Sequence, residues 1–299
     1  MENNITSLGQ YMEIIATLYN EHPDRFVNPI SNPFIFRGTC DHTYSLLPSA
    51  FRKQKHKISG TEQEIEKYTY KSFDNERGIL ASFIVEASGY VDIPQEDLRR
   101  WAEYAQHYGV PTRFLDWTNS HLVALYFACK DKVGLDGAVW LLNQWEYIAF
   151  FSSMYISKEL PPTKDEIISE LLRGTSEVEL PICYLPCYVD SHMSAQGSSF
   201  MVWGIKEEPL ETLLKDRYCD IGSLSAISWE NLKPAILFKV TIPANYKQKL
   251  LRELDLAGIS EKTLFPGLDG IGRYIERRFR FNYEEFPDYV FKDFPNYTG

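Results

Sequence analysis

The sequence predicts an α+β domain with a mixed or antiparallel central sheet and packed helices. The chain has 299 residues, 44% of them hydrophobic, which is enough for a sizeable buried core. Short apolar runs typical of strands are interspersed with amphipathic segments of helical period, and the two kinds neither alternate regularly nor separate into blocks. This order disfavours a doubly wound parallel sheet. No glycine-serine tract or fixed-period repeat divides the chain, which favours a single domain.

Composition and motif content argue against several functional classes. The 31 basic and 41 acidic residues give a net charge of −10, so nucleic acid is an unlikely partner. No apolar run reaches the length of a spanning helix, and no secretory signal is recognisable, so we expect a cytoplasmic protein with no membrane partner. The five scattered cysteines suit a reduced compartment. P-loop, HExxH, GxSxG and EF-hand patterns are absent from the sequence, and we expect no metal.

The N-terminal third begins with a predicted amphipathic helix over about 7–19, part of an N-terminal helical cover over 1–33. A short aromatic and β-branched strand follows from Phe34 to Gly38 and carries Arg37 at its end. A long, charged helical stretch is then predicted over 59–87, with Gly78 as a possible break in it.

A second group of elements is better marked. A helix that begins near Pro94 is ended by Gly109 and Pro111. A strand over 112–118 leads to a nearly all-apolar helix, HLVALYFACK, with Asn119 or Ser120 as its N-cap, and this helix must be buried. The remaining predictions are core strands over 137–143, 199–203 and 236–242, a helix over 246–256, a further element from Ser260, and an aromatic tail over 281–299.

Three motifs concentrate residues that packing alone seldom brings together: FRGT at 36–39, AQHYGVPTRFLDWTNSHLVALYFA at 105–128 and TLFPGLDGIGRYI at 263–275. Together, in this order, they resemble the FRG-domain family, which is named for its Phe-Arg-Gly motif. The resemblance covers residues 34–280, which we take as the FRG domain. The aromatic tail either wraps the surface or reaches a partner.

The first motif carries a sharper analogy. A strand ending in aromatic-Arg-Gly-Thr is similar to the first motif of arginine-type ADP-ribosyltransferases, in which the arginine holds NAD. A guanidinium presents a rigid fork of donors that fits two phosphate oxygens. The likeness implies an ADP-ribosyltransferase-like core with NAD as substrate, and with Arg37 and Gly38 in its binding site. A structural ion pair between Arg37 and Asp116 remains the alternative.

The second motif supplies two hydroxyls. In the same likeness, Thr118 or Ser120 would hydrogen-bond a ribose hydroxyl or an arginine. The alternative is a helix N-cap, which satisfies free backbone N–H groups. The two interpretations are compatible if Asn119 or Ser120 caps the helix while Thr118 faces a pocket.

The transferase chemistry also needs a carboxylate, because departure of nicotinamide leaves positive charge on the ribose. In the strand-like stretch SAQGSSFMVW, where a glutamate would be expected, Gln196, Gly197 and Ser198 stand instead. The remaining carboxylates near motif positions are Asp116, Asp190 and Asp269. Asp116 is the catalytic candidate, and its alternative role is a buried carboxylate held by Arg113 or Arg37.

Three further residues of the second motif are candidates. His107 is a candidate acid-base group, and the ring of Tyr108 can stack on a nicotinamide or adenine, although both can equally well terminate a helix. Arg113 is a second candidate anion clamp.

These observations predict a nucleotide or other small-molecule ligand, and either transfer of ADP-ribose to an acceptor, such as a protein, or hydrolysis of NAD. A bacterial stress or antiviral toxin is the setting that this kind of family implies. A non-catalytic nucleotide sensor or protein-interaction module is the alternative, and the missing glutamate favours it.

Overall fold

The protein is described by a computed structural model that covers residues 5–20, 33–58, 64–69, 74–155, 163–185, 191–221 and 235–279. Over these ranges, helices pack against a central, mostly antiparallel sheet, which confirms the predicted α+β class. The aromatic tail over 281–299 and Asp190 lie outside the described residues. No helix within the described ranges is long and apolar enough to cross a membrane.

The described strands are β1 Phe34–Thr39, β2 Lys53–Lys57, β3 Glu64–Tyr68, β4 Phe114–Thr118, β5 Gly137–Asn143, β6 Ile182–Tyr184, β7 Ser198–Val202, β8 Tyr218–Ile221 and β9 Leu237–Ile242. Seven of them form the central sheet in the order β6-β7-β4-β1-β5-β9-β8, while β2 and β3 form a separate hairpin. Neighbouring strands of the central sheet are antiparallel, except for the parallel pair β8 and β9.

The helices of the same ranges are α1 Leu8–Asn20, α2 Asp74–Ala87, α3 Leu98–His107, α4 His121–Cys129, α5 Gln144–Tyr155, α6 Lys164–Arg173, α7 Ser191–Ala195, α8 Leu210–Leu213, α9 Lys247–Leu256, α10 Glu261–Leu264 and α11 Leu268–Phe279. Helical periodicity located α1, α3, α4 and α9 close to these bounds. It did not identify α5 or α6.

Side chains of β1 alternate between the two faces of the sheet, as the two-residue period of a strand requires. Phe34 and Phe36 are fully buried with α1, α4 and α9 on one face. Ile35 packs on the opposite face with Trp117 and Trp140. A third cluster joins α2, α3 and α6 to the end of the sheet formed by β6, β7 and β4. The sheet is therefore covered on both faces.

Helix α4 lies directly on β1, and the contact depends on Gly38. A Cβ atom at this position would lie 1.9 Å from the carbonyl oxygen of Ala124 and 2.7 Å from the backbone nitrogen of Ala128. No side chain fits in that space. The burial predicted for the apolar helix is confirmed, with Ala124, Leu125 and Ala128 fully enclosed.

The pairing between β1 and β4 is short. β1 pairs with β5 along all six residues, but with β4 it has a single register pair, Phe36 with Thr118. Beyond this pair the two strands diverge. The central sheet therefore has an opening between β1 and β4, which begins at Arg37.

The prediction of one long helix over 59–87 is wrong in its first half. Residues Glu64–Tyr68 form β3, and α2 begins only at Asp74, with Gly78 inside it rather than at a break. Opposite charges face each other across the hairpin, with Lys55 paired to Glu66. Such cross-strand pairs stabilise a hairpin and cannot be recognised from the periodicity of one segment.

Candidate functional site

A pocket of about 510 Å³ lies where β1 and β4 diverge. Strands β1, β4 and β7 supply its inner part, and helices α3, α4, α7 and α11 surround it. Its lining residues are Phe36, Arg37, Gly38, Gln106, His107, Asp116, Trp117, Thr118, Phe127, Lys130, Met193, Gln196, Ser198, Phe200, Phe265 and Arg273.

Arg37 lies in the opening between the two strands. Its Nη1 donates a hydrogen bond to the backbone carbonyl oxygen of Asp116 and lies 3.9 Å from Oδ2 of the same residue. The side chain is 19% exposed, so it remains accessible from the pocket. Burial lowers the pKa of Arg37, the charge of Asp116 opposes this effect and the charge of Arg52 adds to it. The guanidinium stays charged at any working pH.

Asp116 lies at the mouth of the pocket with 57% of its side chain exposed. The expectation of a buried carboxylate is therefore wrong. Its Oδ2 accepts a hydrogen bond of 2.8 Å from Nε2 of Gln106, and Oε1 of Gln106 accepts one of 2.6 Å from the hydroxyl of Thr112. Of the two predicted partners, Arg37 and Arg113, the structure places Arg37 beside Asp116. The carboxylate is held in place without being removed from water.

Thr118 and Ser120 divide the two roles considered for them. The hydroxyl of Thr118, at 6% exposure, lines the pocket, donates to the backbone carbonyl of Gln196 at 2.5 Å and accepts from the backbone N–H of Ser120. The hydroxyl of Ser120 accepts from the backbone N–H of Val123 at 3.4 Å and is the N-cap of α4. The cap interpretation of Ser120 is confirmed, and Ser120 is not among the lining residues of the pocket.

His107 and Tyr108 end α3 but face different surroundings. His107, the last residue of the helix, lines the pocket. Tyr108 is the C-cap, is 67% exposed and is not among the pocket's lining residues, while its ring contacts that of His107 edge to face at 5.0 Å. The structure thus brings His107, and not Tyr108, to the candidate site.

Arg113, the residue before β4, is buried and paired with Glu76. It is 3% exposed and donates from Nε and Nη2 to both carboxylate oxygens of Glu76, at 2.7 to 3.1 Å. Its Nη1 donates to the backbone carbonyl of Trp203 at 3.2 Å. These bonds use the donor fork of the guanidinium, and Arg113 is not among the pocket's lining residues.

The pocket residues that were not predicted from the sequence include Phe127, Lys130, Phe265 and Arg273. Phe127 and Lys130 lie three residues apart at the end of α4, Phe127 inside the second motif and Lys130 just after it. Phe265 and Arg273 belong to the third motif, which gave no indication of which residues faced a cavity. Gln196, read as a departure from the expected glutamate, lines the same pocket, and its Nε2 donates to the carbonyl of Leu264 at 3.1 Å.

The described residues contain no group of three or more His, Cys, Asp or Glu side chains that could hold a metal ion. What the pocket does offer is a set of cations and hydrogen-bonding groups beside aromatic rings. Such a lining suits an organic ligand with both aromatic and anionic parts.

Residues 32–136 match the family model of the FRG domain. No curated protein and no solved structure matches the chain. The matched region contains Arg37, His107, Asp116, Thr118 and their neighbours on β1, α3, β4 and α4, whereas the pocket residues of α7, β7 and α11 lie beyond it.

Proposed function

This chain carries an FRG domain, and we propose that the pocket formed by this domain and the later helices binds NAD and promotes transfer of ADP-ribose to an acceptor or to water. One observation carries the proposal. Arg37, His107, Asp116 and Thr118 come from three separate segments and line the same pocket. Residues that served only to hold the strands together would not need to surround a cavity of about 510 Å³.

The binding roles follow from the free hydrogen-bonding capacity of each group. Arg37 has five N–H donors, of which Nη1 contacts Asp116, so the others can reach a phosphate or ribose oxygen. Thr118 already donates its proton to the carbonyl of Gln196. Its hydroxyl oxygen is then suited to accept from a ribose hydroxyl.

Asp116 is the one carboxylate among the described lining residues, and we assign it the charge-stabilising role. When the C1′–N bond of NAD breaks, nicotinamide leaves as a neutral base with the bonding electron pair, and positive charge remains on the ribose. A carboxylate held by Gln106 and Arg37 stabilises this cation without having to reorient.

The acceptor oxygen then forms the new C1′–O bond; a water or hydroxyl acceptor loses a proton in this step, whereas a carboxylate has none to lose. His107 lies at the pocket, and its imidazole is our candidate for the general base that accepts that proton. With water as the acceptor the products are ADP-ribose and nicotinamide; with a protein hydroxyl or carboxylate as the acceptor the product is a modified protein. A bacterial stress or antiviral effector would use either reaction.

Gln196 favours a second candidate function, a nucleotide sensor without turnover. Gln196 stands where the resemblance leads one to expect a glutamate, and an amide cannot neutralise a developing cation as a carboxylate does. Asp116 is also partly neutralised by Arg37, at 3.9 Å. A protein with this pocket would then bind the nucleotide and report it to a partner.

The test is NAD consumption by the purified full chain, measured together with thermal stabilisation by NAD. We compare the wild type with Arg37→Ala, Asp116→Asn and, as a matched surface control, Arg278→Gln. Turnover that falls by about 10²-fold or more in Asp116→Asn, with stabilisation by NAD retained, supports the enzyme. Stabilisation without turnover in the wild type supports the sensor.

If NAD neither stabilises the wild type nor is consumed, both forms of the proposal are wrong. Unfolding curves for Arg37→Ala without ligand show whether this variant folds. If it does not, Arg37→Lys, which keeps the charge but loses the donor fork, tests the same role.

A further inference from the structure

One wall of the pocket consists of two aromatic rings with a cation beside each. The rings of Phe127 and Phe265 meet edge to face, with centroids 6.3 Å apart. Nζ of Lys130 lies 5.3 Å from the centroid of Phe127, and Cζ of Arg273 lies 4.6 Å from that of Phe265. All four line the pocket, and none takes part in the chemistry assigned above. We call these four residues the aromatic-cationic wall.

The wall is assembled by local geometry in two helical segments. Phe127 and Lys130 are three residues apart at the end of α4, a spacing that brings side chains to one helix face. Gly270 permits α11 to approach α10, because a Cβ there would lie 1.9 Å from the carbonyl oxygen of Phe265. Nε of Arg273 donates to the backbone carbonyl of Asp269 at 3.3 Å, which orients the guanidinium.

The charge of the lining points to an anion. Its cations are Arg37, Lys130 and Arg273, and its carboxylate is Asp116, within a protein of net charge −10. Asp116 offsets Arg37 at 3.9 Å, and Asp131, outside the lining, lies 3.3 Å from Lys130. The lining therefore carries three cations against one carboxylate, although Lys130 shares its charge with Asp131.

Both cations of the wall are exposed, and each is held against an aromatic face. Exposed cations suit an anion that keeps part of its hydration, as a phosphate group does. The aromatic edge between them suits the planar base or the sugar of the same molecule.

We propose that Lys130 and Arg273 bind the phosphate groups of the ligand, and that Phe127 and Phe265 contact its base or sugar. The ligand class is thus a nucleoside phosphate. This inference deepens the proposed function, on which it rests, by assigning phosphate recognition to the aromatic-cationic wall rather than to Arg37 alone. A nucleoside without phosphate should bind weakly.

The experiment measures the Kd of adenosine, AMP and ADP-ribose for the full chain by calorimetry. The variants are Lys130→Gln and Arg273→Gln, with Arg278→Gln as the control, an exposed arginine of α11 outside the pocket lining. We expect adenosine to bind weakest. Each wall variant should weaken ADP-ribose binding by about 10- to 100-fold, the loss expected for one hydrogen bond to a charged group, and leave adenosine binding nearly unchanged. The control should match the wild type.

Two results overturn the inference while the proposed function stands: ADP-ribose binding that is unchanged in both wall variants, or adenosine that binds as tightly as ADP-ribose. Absence of binding by all three ligands and by NAD contradicts the proposed function itself. Unfolding temperatures without ligand confirm that the variants fold, and Arg273→Lys, which keeps the charge, should restore part of the affinity.

Discussion

Arg37 donates from Nη1 to the backbone carbonyl oxygen of Asp116, on a neighbouring strand with which its own strand has only one register pair. In a continuous antiparallel ladder, a backbone N–H of β1 would occupy this position. The guanidinium therefore bridges the opening in the sheet and faces the pocket formed by that opening. One side chain serves the fold and the candidate site together.

Gly38→Ala is expected to destabilise the protein, because its Cβ would lie 1.9 Å from the carbonyl oxygen of Ala124. Separating α4 from β1 enough to admit a methyl group costs about 1–3 kcal/mol or more. Gly78→Ala is the matched control, since its Cβ meets nothing within 4 Å inside α2, and it should stabilise by about 0.5–1 kcal/mol. Urea unfolding measures both. Equal effects of the two alanines would contradict the close contact.

Ser120→Ala and Thr118→Val separate a structural hydroxyl from a ligand-binding one. Ser120→Ala removes the N-cap of α4 and should cost about 1 kcal/mol of unfolding free energy without changing NAD binding. Thr118→Val removes a hydroxyl that lines the pocket and also bonds Gln196 and Ser120, so it should lower stability and, in addition, weaken NAD binding by about tenfold. Unfolding curves and calorimetric titrations of both variants provide the comparison. Weaker NAD binding in Ser120→Ala than in Thr118→Val would reverse the assignment.

Stability is expected to fall as the pH drops below about 6.5, because burial lowers the pKa of His121. Below this pH, His121 binds a proton more readily in the unfolded chain than in the folded protein. Among the described residues, Nδ1 of His121 is buried without a hydrogen-bond partner, and its ring contacts those of Tyr11 and Phe36. Unfolding free energies measured at several pH values between about 7.5 and about 5.5 should decrease in the wild type. His121→Gln should show a smaller decrease, and an equal slope in both would refute this origin.

The buried pair of Glu76 and Arg113 is expected to tolerate joint replacement better than the loss of one partner. Glu76→Gln leaves the guanidinium of Arg113 buried without its counter-charge, which costs about 3–5 kcal/mol. The double variant Glu76→Gln, Arg113→Met removes the charge as well, so it should be less destabilised than the sum of the two single variants. A double-mutant cycle of urea unfolding measures the coupling. Strict additivity would argue against a coupled pair.

Several elements could be predicted from the sequence because their signals are local. A capping residue, a helical period or a short apolar run is contained in one segment, and α1, α3, α4, β1 and β5 follow from such signals. The hairpin of β2 and β3 could not be predicted in this way, because its stability depends on pairs such as Lys55 with Glu66 across two strands.

The candidate site, too, was predicted from the sequence only in part. The motifs identified Arg37, His107, Asp116 and Thr118 as residues of interest, and the structure brings all four to one pocket. Arg113 and Tyr108 carry the same kind of motif signal, yet one pairs with Glu76 in the interior and the other points outward.

The sequence by itself determined the class of fold, the residue types available for chemistry and the caps that begin the helices, because each depends on neighbours along the chain. Only the tertiary structure decided where β1 and β4 part, which motif side chains face the opening, and that Phe265 and Arg273 complete a wall begun by Phe127 and Lys130. The physical reason is that a pocket is formed by segments distant in sequence, and their relative positions are set by packing of the whole core.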